Sequence, residues 1–411
     1  MKSATSKKVI LIVFDGLGDR PISELDNKTP LEAARKPNLD KLAANGITGM
    51  MWSVGRGQAP GSDVAHLSLF GYDLHEHYAG RGPIEVRGLG MELQHGDVAL
   101  RGNLGTVDKS GKIIDRRAGR IQDTTDFVKG LDGTTIEGVK FLVRPGTAHR
   151  VGIIMRGPGI SADIVDPDPH TEGAQISEPQ ARNKSPEAVR TARVLGAFLK
   201  TAATQLGDNP LNETRVKLGK LPANYLLVRG AGYYKHVPRF EDRYGLKAAC
   251  IAGAGLYKGI GAYLGMDVVE VPGATGVPST NVRAKFTVAK QILASHDFVF
   301  VHVKPTDSLA EDGNYAGKKD FIEKIDDAAA ELLQVNDTLI VLAADHSTPC
   351  ALKHHSSDPV PVVIAGPGVR VDNVTQFGER ACSVGGLGFF SGRDLIPEIV
   401  NLLGKAKLLG S

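Results

Sequence analysis

The chain has 411 residues, a net formal charge of +3 and three widely separated cysteines. Its length allows two or more domains, and its proportions of hydrophobic and charged residues are typical of an ordinary globular enzyme. The small net charge, without long basic runs, gives no support to nucleic-acid or membrane binding, and the cysteines form no disulfide framework. We therefore expect a cytoplasmic protein from a reducing compartment.

The first predicted element is a buried strand near the N-terminus. The segment KKVILIVFDG is a continuous apolar run that stops at Asp15-Gly16. Such runs are typical of strands covered on both faces, and this one is too short to span a membrane. Thr29, Pro30 and Glu32 then form the pattern of a capping box with proline at the first helical position. The chain thus opens as strand, loop and helix.

The stretch GQAPGSDVAHLSLFG, residues 57–71, places Ser62 on a glycine-rich loop at the start of an apolar helical run. Serine is a favoured N-cap residue, so Ser62 is expected to cap this helix. A helix N-terminus also presents free N–H groups and a positive dipole end to an incoming phosphate, so Ser62 is equally a candidate nucleophile. The second interpretation requires a group elsewhere in the chain that activates the hydroxyl.

The middle and C-terminal parts of the chain differ in their patterns. Residues 93–220 are richer in Arg, Gly, Asp and Pro, and we interpret them as a smaller α+β domain inserted into a core of residues 1–92 and 221–411. The C-terminal part alternates apolar strands with amphipathic helices: KAACIAGAGLYKGIGAYLG, HDFVFVHVKPTD, KKDFIEKIDDAAAELLQ, DTLIVLAADHS, PVPVVIAGPG and GRDLIPEIVNLLG. This alternation predicts an α/β core with a mostly parallel sheet flanked by helices.

Acidic residues follow three of the predicted strands. They are Asp15, Asp307 and Asp345, with His346 next to the last and His354-His355 shortly after. Ligands of parallel sheets bind beyond the carboxyl ends of the strands, and carboxylate with imidazole suits Mn²⁺, Zn²⁺ or Co²⁺. Two such ions can clamp a phosphoryl group and lower the pKa of a hydroxyl, which would activate Ser62. For His66 and His302 we expect packing roles, and for His75, His77 and His170 solvated positions.

Several long motifs resemble one enzyme family. FDGLGDRP, GQAPGSDVAHLSLFGYD, GRGPIEVRGLG, RGNLGTVD, VPGATG, HVKPTD, ADHSTPC and HHSSDPVPV occur in this order from the first strand to the last helix. Together they resemble the archaeal-type cofactor-independent phosphoglycerate mutases, a branch of the alkaline phosphatase-like metalloenzymes. The resemblance implies interconversion of 3-phosphoglycerate and 2-phosphoglycerate in glycolysis and gluconeogenesis. It also implies that no 2,3-bisphosphoglycerate is needed.

The resemblance implies a role for each candidate site residue. Ser62 would carry the phosphoryl group as phosphoserine. One metal would be held by Asp15, Ser62, Asp345 and His346, and a second by Asp307, His355 and one further ligand. Mn²⁺ is the expected metal, with Co²⁺, Zn²⁺ and Mg²⁺ as alternatives.

The chain departs from the family at that further ligand. The family pattern D-x-x-G-H has a histidine where this chain has Glu311, in Asp307-Ser-Leu-Ala-Glu311. A carboxylate is harder than imidazole and would shift the metal preference. We expect Glu311 to be a ligand. The alternatives are that Glu311 points away and the second site is weak, or that His354 substitutes.

Cationic residues are expected to bind the substrate, because arginine pairs in bidentate fashion with carboxylate and phosphate. The candidates in and near the insert include Arg116, and those that we assign to substrate binding are Arg117, Arg120, Arg150, Arg156 and Arg229. The resemblance adds Lys258, which would face the transferred phosphoryl group, and Asp115 as a weaker acid–base candidate. The glycines around Lys258 have neither dinucleotide nor Walker spacing.

The insert favours a mutase because a cap that closes can exclude water. The first alternative is a metal-dependent phosphatase or phosphosugar mutase of the same superfamily. The second, favoured by the Glu311 departure, is a catalytically silent protein that binds a metabolite. The expected partner is a small phosphoglycerate, with no nucleic acid and no membrane, and the chain could assemble as a homo-oligomer.

Overall fold

The computed structural model describes residues 7–408 and residue 410. The strands are, in chain order, β1 (Lys8–Phe14), β2 (Gly46–Trp52), β3 (Val98–Val107), β4 (Ile113–Asp115), β5 (Thr135–Ile136), β6 (Val139–Pro145), β7 (Arg150–Arg156), β8 (Ile164–Val165), β9 (Gln180–Ala181), β10 (Tyr225–Tyr233), β11 (Ala248–Ile251), β12 (Asp267–Val268), β13 (Phe298–Val303), β14 (Thr338–Ala343), β15 (Val360–Ala365) and β16 (Gly388–Ser391).

The helices lie mostly between these strands. In chain order they are α1 (Pro30–Ala33), α2 (Pro37–Ala44), α3 (Ser62–Leu69), α4 (Leu74–His77), α5 (Arg81–Gly88), α6 (Thr125–Val128), α7 (Pro186–Gly207), α8 (Pro210–Lys217), α9 (Phe240–Tyr244), α10 (Gly255–Tyr263), α11 (Val282–Ile292), α12 (Pro305–Glu311), α13 (Tyr315–Ala329), α14 (Glu379–Cys382) and α15 (Leu395–Leu402). Within residues 7–408, no helix is both long and apolar enough to cross a membrane.

The chain divides into two compact units. The first unit contains the described residues up to Tyr78 and from Pro238 onward, and the second is Ala79–Val237. The first is built on an eight-stranded sheet of order β12-β11-β13-β1-β14-β15-β2-β16. Its strands are parallel except β15, which is antiparallel to both neighbours. The predicted fold class, a mostly parallel sheet with helices, is confirmed.

The continuous apolar run at the N-terminus forms β1, the strand predicted from it. Val9 to Val13 are fully buried, as expected for a central strand of a sheet against which helices pack. The capping box of α1 is also confirmed. The Glu32 N–H donates to Thr29 Oγ1 over 3.1 Å, and the Thr29 N–H donates to the Glu32 carboxylate over 3.1 Å.

The second unit is α+β and has a core of its own. Its antiparallel sheet has the order β10-β3-β7-β6-β5, with β4 paired to β3. The helix α7 packs on this sheet, and the Phe198 ring stacks on Phe141 at 3.9 Å. The boundaries that we predicted at 93 and 220 fall inside this unit. The reason is that β10 pairs with β3, and that Val86 of α5 packs with Ala99 of β3.

Candidate active site

Three neighbouring strands of the first unit deliver the acidic residues to one edge of the sheet. The strands β13, β1 and β14 are adjacent and parallel, so their carboxyl ends point in the same direction. Asp15 directly follows β1, Asp345 follows β14, and Asp307 lies in the first turn of α12, just after β13. All three are at most 2% exposed. Burial of three carboxyl groups at one edge requires cations or protons to balance their charge.

The site contains two groups of potential metal ligands. One is Asp15, Asp345 and His346, and the other is Asp307, His346 and His355; within each group the ligand atoms lie within 4.8 Å of one another. The His346 Nε2 is 3.3 Å from Asp15 Oδ1 and 3.4 Å from Asp345 Oδ2. Those two carboxylate oxygens are buried and accept no hydrogen bond. Buried acceptors left unpaired are costly, and a bound cation would satisfy both, so the residues fit a metal ion.

Ser62 is the first residue of α3, and its hydroxyl faces this cluster. The N-cap is Gly61, and no side chain caps the helix, so the expectation that Ser62 caps it is wrong. The Ser62 Oγ lies 3.3 Å from His346 Nε2, the nitrogen that also contacts both carboxylates of the first group. His66, one turn later, is fully buried, and its Nδ1 lies 2.7 Å from the Ser62 carbonyl oxygen and 3.5 Å from Asp345 Oδ2, so it also contacts a carboxylate of the first group.

The second group is held in place by neighbouring polar groups. His355 Nδ1 is bonded to the Pro60 carbonyl oxygen over 2.8 Å, which leaves Nε2 directed at Asp307 Oδ1, 3.6 Å away. Such a bond at one ring nitrogen orients a histidine ligand. Thr348 Oγ1 donates to the same Asp307 oxygen over 2.8 Å. His354 instead bonds to the His355 carbonyl oxygen.

Glu311 belongs to neither ligand group in the structure. It ends α12, one helical turn beyond Asp307. Partial desolvation and the negative charge of Asp307 raise the pKa of the Glu311 carboxyl. The two carboxyl groups are therefore close enough to interact, while the third nitrogen or oxygen near Asp307 and His355 comes from His346.

The charges of the cluster shift the pKa values of its members. Burial raises the pKa of Asp345 to about 6, with the charge of Asp15 adding to the effect. Burial alone would lower the pKa of His346, but the charges of Asp345 and Asp15 raise it to about 9. For Asp15 the cations and hydrogen-bond donors around it outweigh burial, and its pKa lies well below the usual range. Asp15 thus has most of the positive partners of the cluster, whereas Asp345 is left with a raised pKa.

Lys304 and Tyr257 also contact the cluster, although they were not assigned to the site from the sequence. Lys304, which the sequence shows at the end of the HVKPTD strand, places Nζ 3.2 Å from Asp15 Oδ2 and 2.8 Å from Asp307 Oδ2. Tyr257 donates its hydroxyl to Asp15, and its ring stacks on His302 with 3.3 Å between centroids. The position of Lys304 at the same strand end as Asp307 could have indicated its role from the sequence. No sequence pattern indicated the role of Tyr257.

Lys258 follows Tyr257 on α10 but has a different partner. Its Nζ lies 2.6 and 2.7 Å from the two carboxylate oxygens of Glu270. The predicted contact with a transferred phosphoryl group would require Lys258 to leave this ion pair.

The predicted substrate-binding arginines all lie in the second unit, in three different settings. Arg117 and Arg120 line a cavity of about 580 Å³ together with Asp115, Arg116, His170, Thr171 and Glu172. The Arg229 guanidinium contacts His170 Nδ1 at 3.3 Å and Asp168 at 3.4 Å, and burial lowers its pKa to about 10. Arg156 differs because both its Nε and Nη2 bond to Asp97, at 2.9 and 2.7 Å.

His149 is a further residue of this region that the sequence did not single out. Burial lowers its pKa to about 4, and the charges of Arg150, Arg117 and Arg229 act in the same direction. Three of the five predicted arginines therefore lie near one uncharged imidazole. This concentration of positive charge favours binding of an anion.

Comparison with known proteins places these observations in a family. The Metalloenzyme superfamily profile matches residues 7–399. The chain is 46% identical over 410 residues to the 2,3-bisphosphoglycerate-independent phosphoglycerate mutase 1 of Archaeoglobus fulgidus, covering 98% of this chain and 100% of that protein. It is 43% identical over 409 residues to the enzyme of the same name from Methanocaldococcus jannaschii, covering 98% and 99%.

Solved structures agree with these relatives. A protein from Pyrococcus horikoshii superposes with a TM-score of 0.85 at 37% identity, covering 99% of this chain and 100% of that one. The cofactor-independent phosphoglycerate mutase from Thermoplasma acidophilum superposes with a TM-score of 0.71 at 39% identity, covering 97% and 100%. The chain therefore belongs to the metalloenzyme superfamily and, within it, to the 2,3-bisphosphoglycerate-independent phosphoglycerate mutases.

Proposed function

We propose that this protein interconverts 3-phosphoglycerate and 2-phosphoglycerate through a phosphoserine at Ser62, a reaction of glycolysis and gluconeogenesis. The observation that carries the proposal is the position of the Ser62 hydroxyl, 3.3 Å from the histidine that both ligand groups share. The identity of the substrate is inferred from the names of the relatives, which are phosphoglycerate mutases.

The proposed cofactors are two divalent metal ions, most simply Mn²⁺, because carboxylate and imidazole ligands are both present. Asp15, Asp345, His346 and Ser62 would hold one ion, and Asp307 and His355 would hold the other, with Glu311 as its proposed additional ligand. When bound, the ions neutralise charge on the phosphoryl group and make the serine hydroxyl easier to deprotonate.

The residues of the chain then carry the transfer. The Ser62 oxygen attacks phosphorus, and the bond from phosphorus to the substrate oxygen breaks, which leaves phosphoserine and glycerate. Ser62 gives up its hydroxyl proton in this step, and the released alkoxide takes up a proton. The other glycerate hydroxyl later attacks the phosphorus of phosphoserine and gives up its proton; the bond from phosphorus to the Ser62 oxygen breaks, and Ser62 takes up a proton again. Lys258 is proposed to balance the negative charge on the phosphoryl group during the transfer. Catalysis of such transfers depends mainly on positioning and electrostatics.

Glycerate has to remain bound while it reorients, or the reaction ends as hydrolysis. We assign binding of the glycerate carboxylate to Arg117, Arg120, Arg150 and Arg229, because these arginines concentrate positive charge in one region of the second unit. Arg156 is the weakest of the predicted substrate residues, because its guanidinium is already paired with Asp97.

Phosphorus NMR of the Mn²⁺-loaded protein with 3-phosphoglycerate tests the proposal. We expect a 2-phosphoglycerate signal that grows to equilibrium without free phosphate, and no such signal with Ser62→Ala. Growth of inorganic phosphate instead would mean that the protein is a phosphatase. Full mutase activity in the Ser62→Ala variant would show that the phosphoserine mechanism is wrong.

A further inference from the structure

Lys304 forms an unusual connection between the two groups of metal ligands. It follows β13, and its ammonium contacts Asp15 Oδ2 at 3.2 Å, from the first group, and Asp307 Oδ2 at 2.8 Å, from the second. Its remaining hydrogen-bond acceptor is the Tyr257 hydroxyl at 3.4 Å, which itself bonds to Asp15. One side-chain cation thus contacts a carboxylate of each proposed metal site.

The charge balance of the cluster explains why a cation is needed at this position. Asp15, Asp307 and Asp345 are buried, and burial of unpaired carboxylates is costly. In the protein without metal, Lys304 pairs with Asp15 and Asp307, while His346 lies against Asp15 and Asp345. A divalent ion bound by the same carboxylates would supply the same neutralisation, so the ammonium and the metal compete for one set of charges.

A comparison with Lys318 shows that Lys304 is not simply a structural lysine. Lys318 is fully buried, and its ammonium donates to two backbone carbonyl oxygens, of Gly18 and Thr348, as well as to Asp19. The side chain of Lys304 is 25% exposed and has no backbone acceptor among its hydrogen bonds. Its hydrogen bonds therefore position only the ligand carboxylates and Tyr257, and unlike Lys318 it is not enclosed by backbone acceptors.

We propose that Lys304 is an internal counter-cation of the metal centre, which holds the ligand carboxylates in the metal-free protein and is exchanged for metal when the ion binds. Lys304 therefore stabilises the metal-free state and lowers the affinity for the metal. The inference rests on the metal-binding part of the proposed function, but it does not depend on the substrate or on the mutase reaction.

The test is calorimetric titration of the metal-free protein with Mn²⁺, without substrate, for the wild type and Lys304→Met. Methionine keeps most of the length of the side chain and removes the charge. We expect the variant to bind Mn²⁺ at least about tenfold more tightly, because two carboxylates lose a competing cation. Lys304→Gln, which keeps a hydrogen-bond donor without the charge, should show the same tightening.

Lys319→Met is the matched control. Lys319 is 26% exposed and also pairs with two carboxylates, those of Asp320 and Glu323 at 3.1 and 3.0 Å, but neither belongs to a ligand group. The Lys319→Met substitution changes the net charge by the same amount as Lys304→Met. The affinity of this control variant for Mn²⁺ should therefore equal that of the wild type.

Thermal unfolding supplies a second readout. With a chelator present to keep the protein metal-free, Lys304→Met should unfold at a lower temperature than the wild type. Saturating Mn²⁺ should remove most of that difference in unfolding temperature. Equal or weaker Mn²⁺ binding by both Lys304 variants would overturn the inference while leaving the mutase proposal intact. Failure of the wild type to bind Mn²⁺ would instead contradict the metal site of the proposed function.

Discussion

At the scale of single residues, a second lysine, Lys318, lies beside the loops that carry the ligands of the first group. The Lys318 ammonium lies 2.9 Å from Asp19, and the Asp19 carboxylate accepts the Cys350 N–H over 3.1 Å. Asp19 follows Asp15 in the loop after β1, and Cys350 follows His346 in the loop after β14. This buried pair therefore joins the two loops that carry the ligands of the first group.

The Lys318–Asp19 pair gives a prediction about stability. Lys318→Met should lower the free energy of unfolding by about 3–5 kcal/mol, because it leaves the Asp19 carboxylate buried without its cation. Urea denaturation of the metal-free protein measures this loss. The double variant Asp19→Asn, Lys318→Met should recover part of it, since both charges are then absent. A loss below about 1 kcal/mol for the single variant would show that Asp19 is well solvated.

At the scale of elements, two helices of the first unit begin in different ways. Thr29 caps α1 with its side chain, whereas α3 begins at Ser62 with Gly61 as its N-cap and no side-chain cap. The Ser62 hydroxyl is thus not used to stabilise the helix, and it remains available for chemistry.

This difference predicts opposite effects of two alanine substitutions. Thr29→Ala should lower the free energy of unfolding by about 1–3 kcal/mol and leave the mutase reaction in place, because it removes the cap and the hydrogen bond from Thr29 Oγ1 to Glu379 over 2.7 Å. Ser62→Ala should abolish the reaction with little change in stability. Urea denaturation and a mutase assay on both variants check this. A stability loss for Ser62→Ala as large as that for Thr29→Ala would contradict the geometry of α3.

Local patterns predicted the elements well but not the contacts between distant segments. The apolar run of β1 and the Thr29 capping box depend on neighbouring residues, so the sequence was sufficient for both. Lys304 and Tyr257 reach Asp15 across 289 and 242 residues of chain, and no local pattern reports such pairs. The end of the second unit was missed for a similar reason, because β10 pairs with β3 across more than a hundred residues.

At the scale of the whole molecule, the two units divide the predicted functions. The residues of both metal-ligand groups belong to the first unit, and the arginines assigned to the substrate belong to the second. The second unit has its own hydrophobic core, made by its sheet and α7. Its first and last segments also lie side by side, since a side chain at Gly232 would collide with the Ala79 carbonyl oxygen.

A unit with its own core and adjacent ends should fold by itself. We predict that the excised segment Ala79–Val237 unfolds cooperatively in urea, with a circular dichroism spectrum of mixed helix and strand, and does not bind Mn²⁺. Phe198→Ala in this segment should cost about 3–5 kcal/mol or prevent folding, because it removes a buried ring that stacks on Phe141. A gradual transition without a baseline, or one that Phe198→Ala does not change, would show that the second unit depends on the first for its structure.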